Sequence, residues 1–329
     1  MPRPAPPVPA ALARVAGRQE GLVSAAQCRE HGVTRSQVAG HVRRKAWDVV
    51  APTVYDVGPP SPGGRHPHDR ARRRAAVVGL LAHPGAVATG VCALVLRGVQ
   101  GAPTVVEPEV TFPDGLSRRA RPPVRLRRIV LERWDEIDGF ACATVPDAFA
   151  QAVPDLDRRH AVALMDSALH RRDVTADGLA QAHDRARTHR GVMRTHSWWG
   201  EADGRAESPA ETWARLSCAD AGFAPDTLQL LVADGRGRPF ARVDLAWRLP
   251  DGTALLVEID GRDVHSTPEA VYADRERQNR IVTRRTLVRR FTGADAWSGR
   301  VASDVARLLT DAGWRPHPLP HDAVLRLDG

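Results

Sequence analysis

The sequence has almost no lysine. Of its 47 Lys and Arg residues, only Lys45 is a lysine. No lysine is therefore available to a site anywhere in the C-terminal half of the chain. The arginine excess accompanies abundant alanine, glycine and proline, which indicates a compositional bias. Arginine richness alone is consequently a weak sign of nucleic-acid binding.

Cysteines and long apolar runs are also scarce. The four cysteines lie far apart with no C-x-x-C pair, which argues against a zinc ribbon and a disulfide framework. The first residues contain no apolar core of a signal peptide. The apolar stretch at 77–81 is far too short to cross a bilayer. We therefore predict a cytoplasmic protein with no membrane partner.

The features that are present indicate several domains and an acidic partner. The chain has 329 residues, 43% of them hydrophobic, and a net charge of +8. A sequence pI of about 10.4 favours nucleic acid as the partner. A Pro/Gly-rich linker near residues 58–67 and a polar stretch near 200–209 separate three segments. We predict an α/β multidomain protein with segments at 9–58, 67–195 and 205–315.

Residues 21–58 contain two helix starts followed by two short strands. Each start is a capping box, in which a hydroxyl and a glutamine satisfy backbone N–H groups reciprocally; the pairs are Ser24 with Gln27 and Thr34 with Gln37. Two helices and a hairpin form a winged helix-turn-helix, whose second helix enters the major groove. Protein contact or a structural cap is the alternative use. The predicted DNA-binding residues here are Arg35, Ser36, Arg43 and Arg44.

This segment resembles the N-terminal domain of AbiEi-type antitoxins from type IV toxin–antitoxin systems. The matching features are the stretches GLVSAAQ and VTRSQV and a W-x-x-V-x-x-x-V-Y-x-V wing. The resemblance implies a DNA-binding, autoregulatory module, and it makes a cognate toxin a second candidate partner beside DNA.

The middle segment predicts helices alternating with short strands, and we interpret it as an α+β connector or interaction domain. Its histidines at 66, 68 and 83 suit metal binding by type, but their proline-rich surroundings favour a surface loop. Asp155, Asp157 and Asp166 have the spacing of ordinary helix charges. The segment shows no catalytic constellation.

The C-terminal segment predicts the element order αβββαβα, in which Ser208 caps the first helix and the last two helices cover 268–283 and 295–312. Side chains alternate faces along a strand, so Glu258 and Asp260 share one face, and a hairpin turn brings Asp244 on the preceding strand close to them. Three such carboxylates repel one another unless a metal cation or an arginine compensates them. Mg²⁺ or Mn²⁺ is the natural cofactor, because hard cations prefer oxygen ligands. A purely structural polar cluster is the alternative.

These residues resemble the PD-(D/E)xK nuclease superfamily, and within it the very-short-patch-repair (Vsr-like) endonucleases. The resemblance implies a restriction-endonuclease-like domain that hydrolyses DNA phosphodiesters. It makes Asp244 and Glu258 the metal ligands and Glu211 an accessory acid. Further matching stretches are SPAETWARL (208–216), VEIDGRDVH (257–265), DRERQNR (274–280) and LVRRF (287–291).

The chain departs from that superfamily at one position. Asp260 stands where a lysine is usual, two residues after the second acid. The resemblance then makes His265 the substitute general base, because its pKa suits neutral pH. It also implies that Arg275 and Arg277 neutralise phosphate or pair with nearby acids, unless that helix face is simply solvated. A degenerate scaffold in a non-catalytic regulator is the alternative function.

Overall fold

The computed structural model describes residues 8–58, 65–116, 118–260 and 276–327. The chain divides into two compact units. The N-terminal unit comprises Met1–Asp157 and Val174–Gly200, and the C-terminal unit comprises Arg158–Asp173 and Glu201–Gly329. Both mix helices and strands, which confirms the α/β multidomain class. None of the described helices is both long and apolar enough to cross a membrane.

The elements are numbered in chain order. The helices are α1 Ala10–Arg18, α2 Ala25–Glu30, α3 Arg35–Arg43, α4 Pro67–Ala82, α5 Gly90–Leu96, α6 Val145–Ala152, α7 Arg158–His170, α8 Ala176–Ala186, α9 Pro209–Asp220, α10 Gly293–Ser298 and α11 Arg300–Asp311. The strands are β1 Leu22–Ser24, β2 Asp48–Ala51, β3 Val54–Asp56, β4 Val87–Ala88, β5 Glu109–Thr111, β6 Arg125–Arg127, β7 Trp134–Ile137, β8 Phe140–Ala143, β9 Thr227–Asp234, β10 Pro239–Arg248, β11 Ala254–Asp260, β12 Thr286–Thr292 and β13 Val324–Leu327. Two 3₁₀ segments are Val153–Asp155 and Val192–Glu201.

Residues 8–58 form a small helical module with a three-stranded antiparallel sheet in the order β1-β3-β2. Both capping boxes are present, at Ser24 and at Thr34. His41 of α3 is buried and stacks on Trp47, with ring centroids 4.4 Å apart. This contact fixes α3 against the segment that leads into the β2–β3 hairpin.

The rest of the N-terminal unit contains a five-stranded mixed sheet in the order β6-β5-β4-β8-β7. A buried ion pair joins two of its strands, with Arg127 Nη2 2.8 Å from Glu109 Oε2. Glu109 also accepts the N–H of Val91 in the first turn of α5. A side chain at Gly90 would collide with this carboxylate, and the φ of +52° there also favours glycine.

The C-terminal unit has a five-stranded mixed sheet in the order β12-β11-β10-β9-β13. α9, α10 and α11 cover one face, where the core includes Trp247, Leu255 and Val305. A second core on the sheet contains Leu256 and Ile281. Strand β10 pairs antiparallel with β9 and β11, whereas β11 and β12 run parallel.

Several features of the C-terminal unit differ from the sequence-based expectations. β13 adds an unpredicted strand beside β9. The predicted last helix, 295–312, is two helices that meet at Gly299, whose φ is +81°. The structure describes residues 276–281 of the predicted helix 268–283 as helical. Helix α7, which we assigned to the segment 67–195, belongs to the C-terminal unit.

Two side chains expected on the surface are buried. His66 and His68 are exposed, but His83 is only 5% exposed and packs its ring edge-on to Phe112. Burial, with a contribution from Arg121, lowers the pKa of His83. Asp166 is 1% exposed rather than an ordinary helix charge. Distant parts of the chain supply the neighbours in both cases: Phe112 packs on His83, and Thr212 and Arg215 donate to Asp166.

Candidate functional site

Three carboxylates from different elements of the C-terminal unit converge. Glu211 lies in the first turn of α9, Asp244 on β10 and Glu258 on β11. Glu211 and Glu258 are buried, and Asp244 is partly buried. Ser208 positions Glu211, because its hydroxyl accepts the Glu211 N–H as the helix N-cap. Sequence alone indicated these three acids, and the structure brings them together.

The β10–β11 hairpin opens at the acids. Leu245 pairs with Val257, and the pairing does not continue to the next position, where Asp244 would face Glu258. Asp244 Oδ2 instead accepts the backbone N–H of Ile259 at 2.7 Å. The aspartate thus replaces a backbone acceptor at the point where the strands separate.

Gln229 on β9 bridges two of the acids. Its side-chain amide donates to Glu211 Oε2 at 2.8 Å and lies 3.4 Å from Asp244 Oδ1. Its φ is +56°, a left-handed conformation that costs on the order of 1 kcal/mol or more for a residue other than glycine. Such strain inside a strand is a common property of functional sites. No sequence pattern indicated Gln229.

The electrostatic consequence is concentrated on Asp244. Burial raises its pKa from 3.8 to about 7, and the nearby charges of Glu211 and Glu258 add to the rise. Burial also raises the pKa of Glu211. Burial and the neighbouring acids therefore hold a proton on Asp244 up to about neutral pH, because its pKa is about 7. Perturbed carboxyl groups of this kind cluster at functional sites.

Arginines compensate the other side of the cluster. Arg277 Nη1 lies 2.7 Å from Glu258 Oε1, and Arg290 Nε lies 3.3 Å from Glu258 Oε2. Arg290 also binds Asp260, whose side chain is half exposed, at 2.8 Å. Asp260 therefore turns towards Arg290, which the sequence analysis had not singled out. The parallel register that places Glu258 beside Arg290 explains this arrangement.

A divalent cation fits the donor atoms only in part. Asp244 and Glu258 offer the carboxylate oxygens that Mg²⁺ prefers. Glu258 Oε2 is buried and accepts no hydrogen bond from the described residues. Against this, Arg277 and Arg290 already neutralise Glu258. No group of three or more His, Cys, Asp or Glu side chains in the described part of the chain is arranged to hold a metal.

Two predicted site residues, His265 and Arg275, lie outside the described residues. On the helical module, all four predicted DNA-binding residues are exposed along α3 or just after it: Arg35, Ser36, Arg43 and Arg44. Their exposure leaves one basic face of α3 accessible to a partner.

Similarity to other proteins gives relatives but no function. The chain is 31% identical over 161 residues to the "Uncharacterized protein" Rv2248 and to the "Uncharacterized protein" MT2308, from two strains of Mycobacterium tuberculosis. The aligned region covers 48% of this chain and 58% of each relative, so the chain spans little more than half the length of the curated relatives it matches. No protein-family model matches. The AbiEi-type and Vsr-like resemblances therefore stay predictions.

Proposed function

We propose that this chain is a DNA-binding protein whose C-terminal unit is a Vsr-like, metal-dependent endonuclease. The observation that carries the proposal is the convergence of Glu211, Asp244 and Glu258 with a strongly raised pKa at Asp244. The predicted element order and the separated β10–β11 hairpin agree with the PD-(D/E)xK resemblance. The winged helix proposed for residues 9–58 would dock the protein on DNA.

Asp244 and Glu258 would hold Mg²⁺ or Mn²⁺ in this proposal. A divalent cation bound there would polarise the phosphodiester and lower the pKa of an attacking water. Gln229 orients Glu211 and Asp244 through its amide, and Glu211 adds negative charge. Arg277 and Arg290 would bind a phosphate oxygen, since guanidinium groups match phosphate geometry. Arg290 would supply the positive charge that a lysine at residue 260 would otherwise provide.

Replacement of Asp244 with alanine is expected to reduce plasmid nicking by at least about 100-fold, because a direct metal ligand is lost. The assay uses the full chain, supercoiled plasmid and either Mg²⁺ or Mn²⁺. Asp311→Ala, an exposed aspartate at the end of α11, is the matched control and is expected to nick normally. Equal nicking by wild type and Asp244→Ala, or none by wild type with either metal, contradicts the proposal.

A non-catalytic regulator is the second candidate, and the Arg277 and Arg290 ion pairs to Glu258 favour it. In an AbiEi-like antitoxin, the C-terminal unit would be a retained scaffold whose acids are neutralised internally. Recognition of the protein's own promoter would then depend on α3, and a cognate toxin would be the protein partner.

If the protein is a regulator, we expect Arg35→Ala with Arg43→Ala to weaken promoter binding by about ten-fold or more. The salt dependence of that binding should also fall, because phosphate contacts release counterions. Gel-shift titrations over a range of salt concentrations measure both quantities. Arg14→Ala, an exposed arginine on α1, is the matched control. Promoter binding that does not respond to salt, or that survives the double substitution, would rule out this use of α3.

A further inference from the structure

An arginine-lined groove adjoins the acid cluster in the C-terminal unit. The groove encloses about 570 Å³ beside β12, the outermost strand of the sheet on that side. Its charged lining residues are Arg289, Arg290, Asp295, Arg300, Asp304 and Arg307. We name this surface the arginine groove. Four cations against two anions leave it with a net positive charge.

We propose that the arginine groove binds the phosphate backbone of duplex DNA next to the acid cluster. Arg290 belongs to both surfaces, since it lines the groove and forms ion pairs with Glu258 and Asp260. A strand held in the groove would therefore contact Arg290, which also pairs with Glu258 of the acid cluster. A role of the groove in DNA cleavage rests on the proposed function. DNA binding by the groove does not depend on cleavage.

The ion pairs inside the groove are weak enough for phosphate to replace them. Arg300 lies 3.2 Å from Asp295 with its side chain 74% exposed, and Arg307 lies 2.7 Å from Asp304 with 61% exposed. Solvent-exposed pairs of this kind contribute little to stability. Asp304 is also shared with Arg289, at 3.4 Å. Phosphate oxygens would therefore gain arginine contacts at little cost to the fold.

The spacing along α11 suits a DNA strand. Arg300 and Arg307 are seven residues apart, so they lie on one helix face with a rise of ~10.5 Å between them. That rise corresponds to about three nucleotides of one strand at 3.4 Å each. The two guanidinium groups are thus able to contact different phosphates of the same strand.

The test measures binding without cleavage. Full-length protein is titrated with a fluorescent DNA duplex in EDTA, in a background that carries Arg35→Ala and Arg43→Ala so that α3 does not mask the groove. Arg300→Ala with Arg307→Ala is expected to weaken binding about ten-fold and to reduce the slope of log K against log salt by about 2. Arg300→Lys with Arg307→Lys is expected to retain most of the binding, because the charge is kept.

Arg187→Ala supplies the control, since Arg187 forms with Asp184 the same i,i+3 type of ion pair as Arg307 forms with Asp304, and its side chain is 72% exposed. The groove proposal is overturned if Arg300→Ala with Arg307→Ala leaves the DNA affinity and its salt dependence unchanged. It is also overturned if Arg187→Ala loses as much DNA affinity as that pair. Equally efficient displacement by polyglutamate also overturns it, because the site would then accept any polyanion. If the arginine substitutions weaken DNA binding but the wild type does not nick plasmid, the groove is supported and the endonuclease is rejected. If the wild type nicks plasmid but the arginine substitutions leave DNA binding unchanged, the endonuclease is supported and the groove is rejected.

Discussion

Replacement of Asp166 with alanine is expected to lower the free energy of unfolding of the C-terminal unit by about 3–5 kcal/mol. Asp166 on α7 is 1% exposed and ties α9 to the rest of the unit. Its Oδ2 accepts from Thr212 Oγ1 and Arg215 Nη2, each at 2.7 Å, and its Oδ1 accepts from the Asp203 N–H at 2.6 Å. Alanine leaves all three donors without this acceptor.

Most of the expected loss comes from Arg215. Its side chain is 14% exposed, and its buried Nε has no hydrogen-bond acceptor among the described residues. Burial raises the pKa of Asp166, and the charge of Arg215 opposes that rise. Removing the aspartate therefore leaves a poorly solvated cation, which is the costly outcome for a buried pair. The double variant Asp166→Ala with Arg215→Met should recover part of the stability.

Urea unfolding of the full chain measures the loss of stability. Hydrogen exchange of the β11 amides shows whether the loss lies in the C-terminal unit. Asp311→Ala is the control, because Asp311 is an exposed aspartate at the end of α11 in the same unit. We expect that control to change stability by less than about 1 kcal/mol. A similarly small change for Asp166→Ala would show that α7 is not anchored through this carboxylate.

Local sequence signals predicted most of the individual elements. The capping boxes at Ser24 and Thr34 need only residues within one helical turn, and both are present. The same holds for the N-cap at Ser208. Pairings between distant segments were missed, because they leave no local pattern. β13 joins β9 across about ninety residues, and α7 joins the C-terminal unit although residues 174–200 belong to the other unit.

The candidate site was predictable to a similar degree. Strand alternation and a hairpin turn were sufficient to bring Asp244 towards Glu258. The left-handed backbone of Gln229 was not predictable, since glutamine rarely adopts it and no motif marks it. The partner of Asp260 was missed for another reason: the β11–β12 register sets it, and no spacing within one strand reveals that register.

Replacement of Asp244 with asparagine is expected to stabilise the protein at about pH 8 by roughly 2–4 kcal/mol. The folded protein holds the Asp244 proton more tightly than the unfolded chain, because the pKa rises from 3.8 to about 7. The stability that this proton provides is fully present below pH 3.8 and is lost as the pH rises to about 7. Asparagine has no charge to bury, and its amide oxygen still accepts the Ile259 N–H.

The difference in stability between the two proteins should therefore depend on pH. Near pH 4 they should unfold at similar urea concentrations, and the Asn variant should gain with each pH unit up to about pH 7. Asp251→Asn, in the exposed turn between β10 and β11, is the control and should follow the wild type throughout. If the stability of wild type and of Asp244→Asn changes with pH in the same way, ionisation of Asp244 does not destabilise the folded protein.

Adding Mg²⁺ to the same measurement separates a metal site from a polar scaffold. A cation that binds only the folded state stabilises it by mass action. If Asp244 is a ligand, excess Mg²⁺ should raise wild-type stability at about pH 8 and leave Asp244→Asn nearly unchanged, which narrows the gap between them. If the acids serve only as a scaffold, Mg²⁺ should shift both proteins equally and the gap should persist. The raised pKa of Asp244 would then reflect the packing of the strands and not a reaction.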